Sequence, residues 1–115
     1  MKFEFIANAS GIFKSKNGKT VLLDPWLMDG VFEGSWCHFH KLQTTSSQLQ
    51  DVDAIYLSHI HPDHYDERDF NYRKDIPIFV LDHGLNFLHK NLEAKGYKNL
   101  IKIKNDETIK FEDFE

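Results

Sequence analysis

A chain of 115 residues with 41% hydrophobic content is the size of one domain and can bury a core of its own. A net charge of −4 with dispersed Lys and Arg excludes a basic nucleic-acid surface, and no segment approaches the roughly 20 apolar residues of a membrane span. Cys37 is the single cysteine, so no intrachain disulfide can form; this fits a reducing compartment, and a cytoplasmic protein is expected. Glu4 interrupts the apolar start too early for a secretory leader.

In chain order, Lys2 to Ala9 alternates Phe3, Phe5 and Ala7 against Lys2, Glu4 and Ile6, which predicts a strand. Ile12–Ser15 and Thr20–Leu23 flank Lys16-Asn17-Gly18-Lys19, and Asn-Gly between apolar runs predicts a two-residue hairpin turn with positive φ at both positions. The second arm, Val21-Leu22-Leu23, reads as buried on both faces and stops at Asp24-Pro25. From Trp26 to Gln50 no period is visible. Gly30, Gly34 and Thr44-Thr45-Ser46-Ser47 predict a long loop, with a short helix near Ser47 to Gln50.

Asp53–Ser58 is a further buried-type strand, and Asp66–Tyr72 can form a short helix. Ile78–Leu81 is a strand whose start Pro77 marks. Asn86–Lys95 places Phe87, Leu88 and Leu92, with nearby Leu85, on one helical face, and Gly96 supplies the stop. Leu100–Ile103 and Thr108–Phe111 are two short strands joined at Asn105-Asp106-Glu107. The order predicts one α/β unit without repeats or linkers.

Residues 58–66, Ser-His-Ile-His-Pro-Asp-His-Tyr-Asp, put His59, His61, Asp63 and His64 within six positions. Imidazole nitrogens and carboxylate oxygens suit Zn²⁺ and related first-row metals. The cluster follows a buried strand, the end at which α/β sheets place ligand sites. His59 and His61 alternate as strand residues do, and Pro62 turns the chain so that Asp63 and His64 come back toward the same point. A solvated His-rich loop is the bland alternative, and it leaves the position of the cluster unexplained.

His59-x-His61-x-Asp63-His64, preceded by Asp53-Ala-Ile-Tyr-Leu-Ser and by Leu22-Leu23-Asp24-Pro25-Trp26, resembles the metal-binding signature of the metallo-β-lactamase superfamily. The Asp-Pro-Trp form is similar to the branch that includes N-acylphosphatidylethanolamine phospholipase D, ascorbate-6-phosphate lactonase and the CMP-sialic acid hydroxylase-like proteins. The resemblance implies the N-terminal half of an αββα sandwich, one mixed sheet with helices on one face. It implies a metal-dependent hydrolase whose metal-activated hydroxide attacks an ester, lactone, amide or phosphodiester. His59 and His61 would hold a first cation, and Asp63 and His64 a second, with Asp63 as the catalytic group orienting the attacking water. Zinc is the first expectation, as two ions in the full site, with iron or manganese as alternatives. Asp24 would stand behind the ligands, fixing a ring or the ligand loop; its other reading is a plain strand-ending Asp.

The remaining ligands of such a centre come from a second half, so the single domain 1–115 is expected to be truncated, with one sheet face open. The expected partners are a small-molecule substrate and either a missing C-terminal half or a second copy covering that face. A non-catalytic half-domain and an iron-dependent redox relative are the alternative functions. His83 could approach the site or be a surface residue. Trp36-Cys37-His38-Phe39-His40 reads as a loop over the site, as a soft-metal site or as ordinary packing, and Trp26, Trp36, His38 and Tyr65 are candidates for a substrate wall.

Overall fold

The computed structural model describes residues 1–114. Six strands form one mixed sheet in which spatial order equals chain order: β1 (Lys2–Ala7), β2 (Ser10–Lys14), β3 (Thr20–Leu23), β4 (Ala54–Leu57), β5 (Ile78–Leu81) and β6 (Leu100–Ile103). β1, β2 and β3 pair antiparallel, and β3 to β6 run parallel. One α-helix, α1 (Phe87–Ala94), and a 3₁₀ turn at Ser46–Leu49 complete the regular structure among the described residues.

The β2–β3 turn departs from the two-residue form. Ser15 N–H bonds Lys19 O at 2.8 Å and Gly18 N–H bonds Ser15 O at 3.2 Å. The loop therefore has three residues, and Gly18 alone takes positive φ (84°). This is a type I turn followed by a glycine in the left-handed region, the next commonest hairpin solution.

Strand alternation sorts side chains onto two unlike faces. Leu22, Ile55, Leu57, Ile78 and Val80 point to one side and pack with Leu88 and Leu92 of α1, Tyr65, Phe70, Tyr72 and Tyr97. The helix stops as its sequence dictates. Gly96 takes φ 88°, its N–H reaches Glu93 O at 2.9 Å, and Tyr97 N–H reaches Leu92 O at 3.1 Å, the paired bonds of a Schellman cap. Tyr97 then buries its ring and accepts Tyr72 N–H at 3.0 Å.

The opposite face carries Phe13, Val21, Leu23, Tyr56, Phe79 and Ile103 around an open groove of about 440 Å³, and Phe3, 54% exposed, stacks on Phe13 at 4.9 Å. No helix among the described residues covers this face. The segment expected as a strand at Thr108–Phe111 instead crosses it, with Phe111 edge-on to Phe79 at 5.4 Å and only an isolated bridge to Phe114. Burying Phe111 and Ile109 against bare apolar sheet outweighs extending the ladder beyond β6.

The helix expected at Asp66–Tyr72 is also absent. The buried Asp66 carboxylate takes the backbone N–H, Nε and a terminal nitrogen of Arg68 at 3.1, 2.9 and 2.7 Å. A side chain that binds its own backbone two residues on competes with helix formation; one turn closes, from Asp66 O to Phe70 N–H at 3.0 Å, and stops. Arg68 reaches on to Gly30 O and Asp29 O at 3.3 and 3.2 Å, tying the long loop to this turn.

Candidate metal centre

The site is built at the carboxyl ends of β3 and β4. Directly after β3 comes Asp24, which has φ 33°, an uncommon conformation for a residue other than glycine. Four hydrogen bonds hold this turn. Asp24 N–H bonds Tyr56 O at 3.0 Å and Trp26 N–H bonds Asp24 O at 2.9 Å. The Ser10 hydroxyl donates to Asp24 O at 2.6 Å and accepts Trp26 N–H at 3.0 Å. Strain of this kind persists only where the surroundings over-determine it.

The turn aims the Asp24 carboxylate, 6% exposed, at the start of the His cluster. Oδ1 accepts Ser58 N–H at 2.7 Å, and Oδ2 accepts the Ser58 hydroxyl at 2.7 Å and His64 Nδ1–H at 3.0 Å. Because Ser58 gives its proton to Asp24, its oxygen is free to accept His59 Nδ1–H at 2.9 Å. One buried carboxylate thus sets the tautomer of two imidazoles, the first directly and the second through a serine. Both rings are left with Nε2 as a bare lone pair, the form that coordinates a cation.

Those lone pairs face other donors. His59 Nε2 lies 3.1 Å from His61 Nδ1, and His64 Nε2 lies 3.5 Å from Asp63 Oδ2. Tetrahedral zinc at about 2.0–2.1 Å from each nitrogen separates neighbouring ligand atoms by about 3.3 Å, so each pair has the spacing of two ligands on one ion. The donor chemistry and pairwise spacing fit a divalent cation. The set is short, however: among the described residues no three or more His, Cys, Asp or Glu side chains form a ready-made cage. Burial, and then the neighbouring His64 and His61, hold the His59 imidazole below its usual range, which keeps it neutral near pH 7.

The other candidates fall elsewhere. His83 turns to the same strand end, but its Nε2–H is committed to Ser58 O at 2.6 Å. Of the residues expected as a substrate wall, Trp26, His38 and Tyr65 are buried, at 3%, 9% and 2% exposure, and only Trp36 stands half exposed. His38 packs tilted against Trp26, ring centroids 3.9 Å apart, and its ring nitrogens lie 2.7 Å from Asp29 Oδ1 and 3.1 Å from Trp26 O, so it fastens the loop internally. Both its ring nitrogens have acceptors, which leaves neither for a soft metal alongside the exposed Cys37. Tyr65 belongs to the core beside Phe70. The residues that sequence reasoning missed are Ser10 and, in its role as a relay, Ser58. Neither has a local signal for its role, because the partner of both, Asp24, lies 14 positions from Ser10 and 34 from Ser58.

A mixed sheet whose third and fourth strands deliver a carboxylate and a His-x-His-x-Asp-His loop to their shared carboxyl end defines a class. This chain belongs to the β-lactamase superfamily: the model of the beta-lactamase superfamily domain matches residues 2–112. Its fold is similar to the crystal structure of an isothiocyanate hydrolase from Delia radicum gut bacteria, with a TM-score of 0.71 and 26% identity over 95% of this chain and 43% of that one. In sequence it is 30% identical over 105 residues to a Rieske 2Fe-2S iron-sulfur protein of Mycolicibacterium smegmatis, covering 89% of this chain and 20% of that protein. It is 31% identical over 67 residues to the cytidine monophosphate-N-acetylneuraminic acid hydroxylase of Danio rerio, covering 54% of this chain and 11% of that protein. The chain therefore spans less than half the length of each of these relatives. No helix among the described residues is long and apolar enough to cross a membrane.

Proposed function

We propose that this chain carries the first ligand set of a metal-dependent hydrolase, in which His59 with His61, and Asp63 with His64, hold divalent cations, zinc in the first place. The single observation that carries the reading is the arrangement of His59 Nε2 and His61 Nδ1 at 3.1 Å, behind which Ser58 and Asp24 fix the His59 tautomer. Family membership and a hydrolase among the structural neighbours support it.

Bound there, a divalent cation supplies Lewis acidity to an ester, lactone, amide or phosphodiester and lowers the pKa of water. The protein's own part is to hold donors and move protons. Asp24 keeps the His64 and Ser58 protons on the side away from the cations. In this reading Asp63, partly exposed and 3.5 Å from His64 Nε2, orients an attacking water and accepts its proton. With two donors per cation, each site needs at least one more for the three protein ligands usual in catalytic zinc. In this reading the rest come from a further half of the same polypeptide or from a second copy seated on the open sheet face. The unpaired Cys37 fits a cytoplasmic protein.

The Rieske and hydroxylase names of two relatives support a second reading, an iron-dependent redox protein using the same donors. Metal analysis of purified protein tests both. The hydrolase reading expects zinc at up to two equivalents per chain, lost in a His59→Ala, His61→Ala double variant that still folds. Iron in place of zinc transfers the site to the redox reading, and metal content unchanged in the double variant sinks both.

A further inference from the structure

The metal donors open onto a groove of about 360 Å³ that runs from His59 and His61 along the end of β5 to the start of α1 and to β6. Its apolar lining includes Ile60, Leu85 and Phe87, which are 40%, 72% and 64% exposed. Single exposed apolar side chains are ordinary on a protein surface, but several sharing one concavity mark a binding site. Phe87 lies off the buried stripe of α1, which Leu88 and Leu92 supply.

The groove also contains a cation. Lys102 projects from β6 on the helix side, where its ammonium donates to Asn86 Oδ1 at 2.7 Å. No carboxylate lies within ion-pair distance of it among the described residues. The groove's one carboxylate, Asp82, is turned to Gly84 N–H at 2.9 Å. His83 donates to Ser58 O, and His89 on α1 faces Glu93 at 3.6 Å. An ammonium positioned by a neutral amide, at an apolar groove, lacks only an anion.

We propose that this groove binds the apolar chain of an anionic amphiphile, the chain lying on Ile60, Leu85 and Phe87 and its carboxylate or phosphate on Lys102. The inference rests on the hydrolase reading for its meaning, because it places that molecule beside His59 and His61, and it narrows the substrate to an apolar compound with a terminal anion.

The test is a proton–nitrogen correlation NMR titration of the full 115-residue chain in buffer containing EDTA, with octanoate, octyl phosphate and 1-octanol as probes. Octanoate and octyl phosphate should shift the amides of residues 83–88 and 102 saturably, with 1-octanol weaker by about fivefold, the worth of one exposed ion pair. Lys102→Gln should bring octanoate down to the level of 1-octanol and leave 1-octanol unchanged, while Leu85→Asn should weaken both. Equal binding of octanoate and 1-octanol, an unchanged Lys102→Gln variant, or shifts confined to Phe13, Val21 and Phe79 on the other face would each overturn the proposal. A preference for octyl phosphate over octanoate, or the reverse, identifies the anion. Since EDTA removes metal from the titration, its outcome is separate from metal analysis: zinc uptake without octanoate binding sinks the groove alone.

Discussion

Asp24 Oδ2 lies 3.0 Å from His64 Nδ1, across 40 residues of chain, and the same carboxylate receives both donors of Ser58. An Asn at this position has one acceptor oxygen and presents two hydrogens, so it must oppose a hydrogen to at least one of those three donors. Asp24→Asn should destabilise the chain by about 1–3 kcal/mol and weaken metal binding by about 10–100-fold. Urea unfolding and a zinc titration measure the two effects. Unchanged zinc affinity would remove Asp24 from the site.

Ser58 reaches His59 through a hydroxyl alone. Ser58→Ala keeps the backbone N–H bond to Asp24 but frees the His59 ring, whereas Ser58→Thr retains the hydroxyl. Zinc affinity should fall in the first by about tenfold and recover in the second. An equal loss in both would show that the side chain's size matters here, and not its relay.

How much of this was legible beforehand differs between strands and clamp. Alternation and turn chemistry placed the strands and the stop at Gly96, because those signals act over a few residues. The donor cluster stood out for the same reason, since His59 to His64 are adjacent in sequence. What failed were competitions between regular structure and other partners, near or distant. Asp66 took Arg68 instead of capping a helix, and Phe111 preferred Phe79 to a neighbouring strand. Ser10 carries no local signal, yet it is 1% exposed and closes the strained turn at Asp24.

Ser10→Ala should accordingly cost about 1–3 kcal/mol, because Trp26 N–H loses one of its acceptors and the Asp24 turn loses a restraint, both in a buried place. Chemical denaturation gives the value, and a loss below about 0.5 kcal/mol would mean the turn holds without it.

Stability should also depend on pH through Asp53. Burial raises the pKa of this carboxyl, but the Lys19 ammonium with Thr20 N–H and hydroxyl outweighs burial and holds it below the usual range. A depressed folded-state pKa stabilises above the unfolded value of about 3.9 and is lost as pH falls through the folded one. Asp53→Asn should therefore lower the melting temperature at pH 7, and the gap between variant and parent should narrow as the pH falls through and below the ordinary carboxylate range. Parallel melting curves from pH 2 to 7 show it; a gap independent of pH would assign the loss to packing.

The left-handed Gly96 offers a cleaner backbone test. A Cβ there meets nothing within 4 Å, so Gly96→Ala adds strain without a clash. About 1–2 kcal/mol of destabilisation is expected, read from denaturation midpoints. No change would mean that the chain relaxes out of the Schellman geometry at no cost.

Because spatial order in the sheet equals chain order, each strand finds its partner in the strand made just before it. The Asp24 clamp joins the turn after β3 to Ser58 and His64 beyond β4, so none of its groups comes from β5, α1 or β6. Vectorial assembly is the expected outcome, with the donor loop set before the groove between β5, α1 and β6. Arrest of synthesis at successive lengths, with hydrogen exchange at Ser58 as the readout, would follow that sequence; protection of Ser58 only after β6 emerges would reverse it.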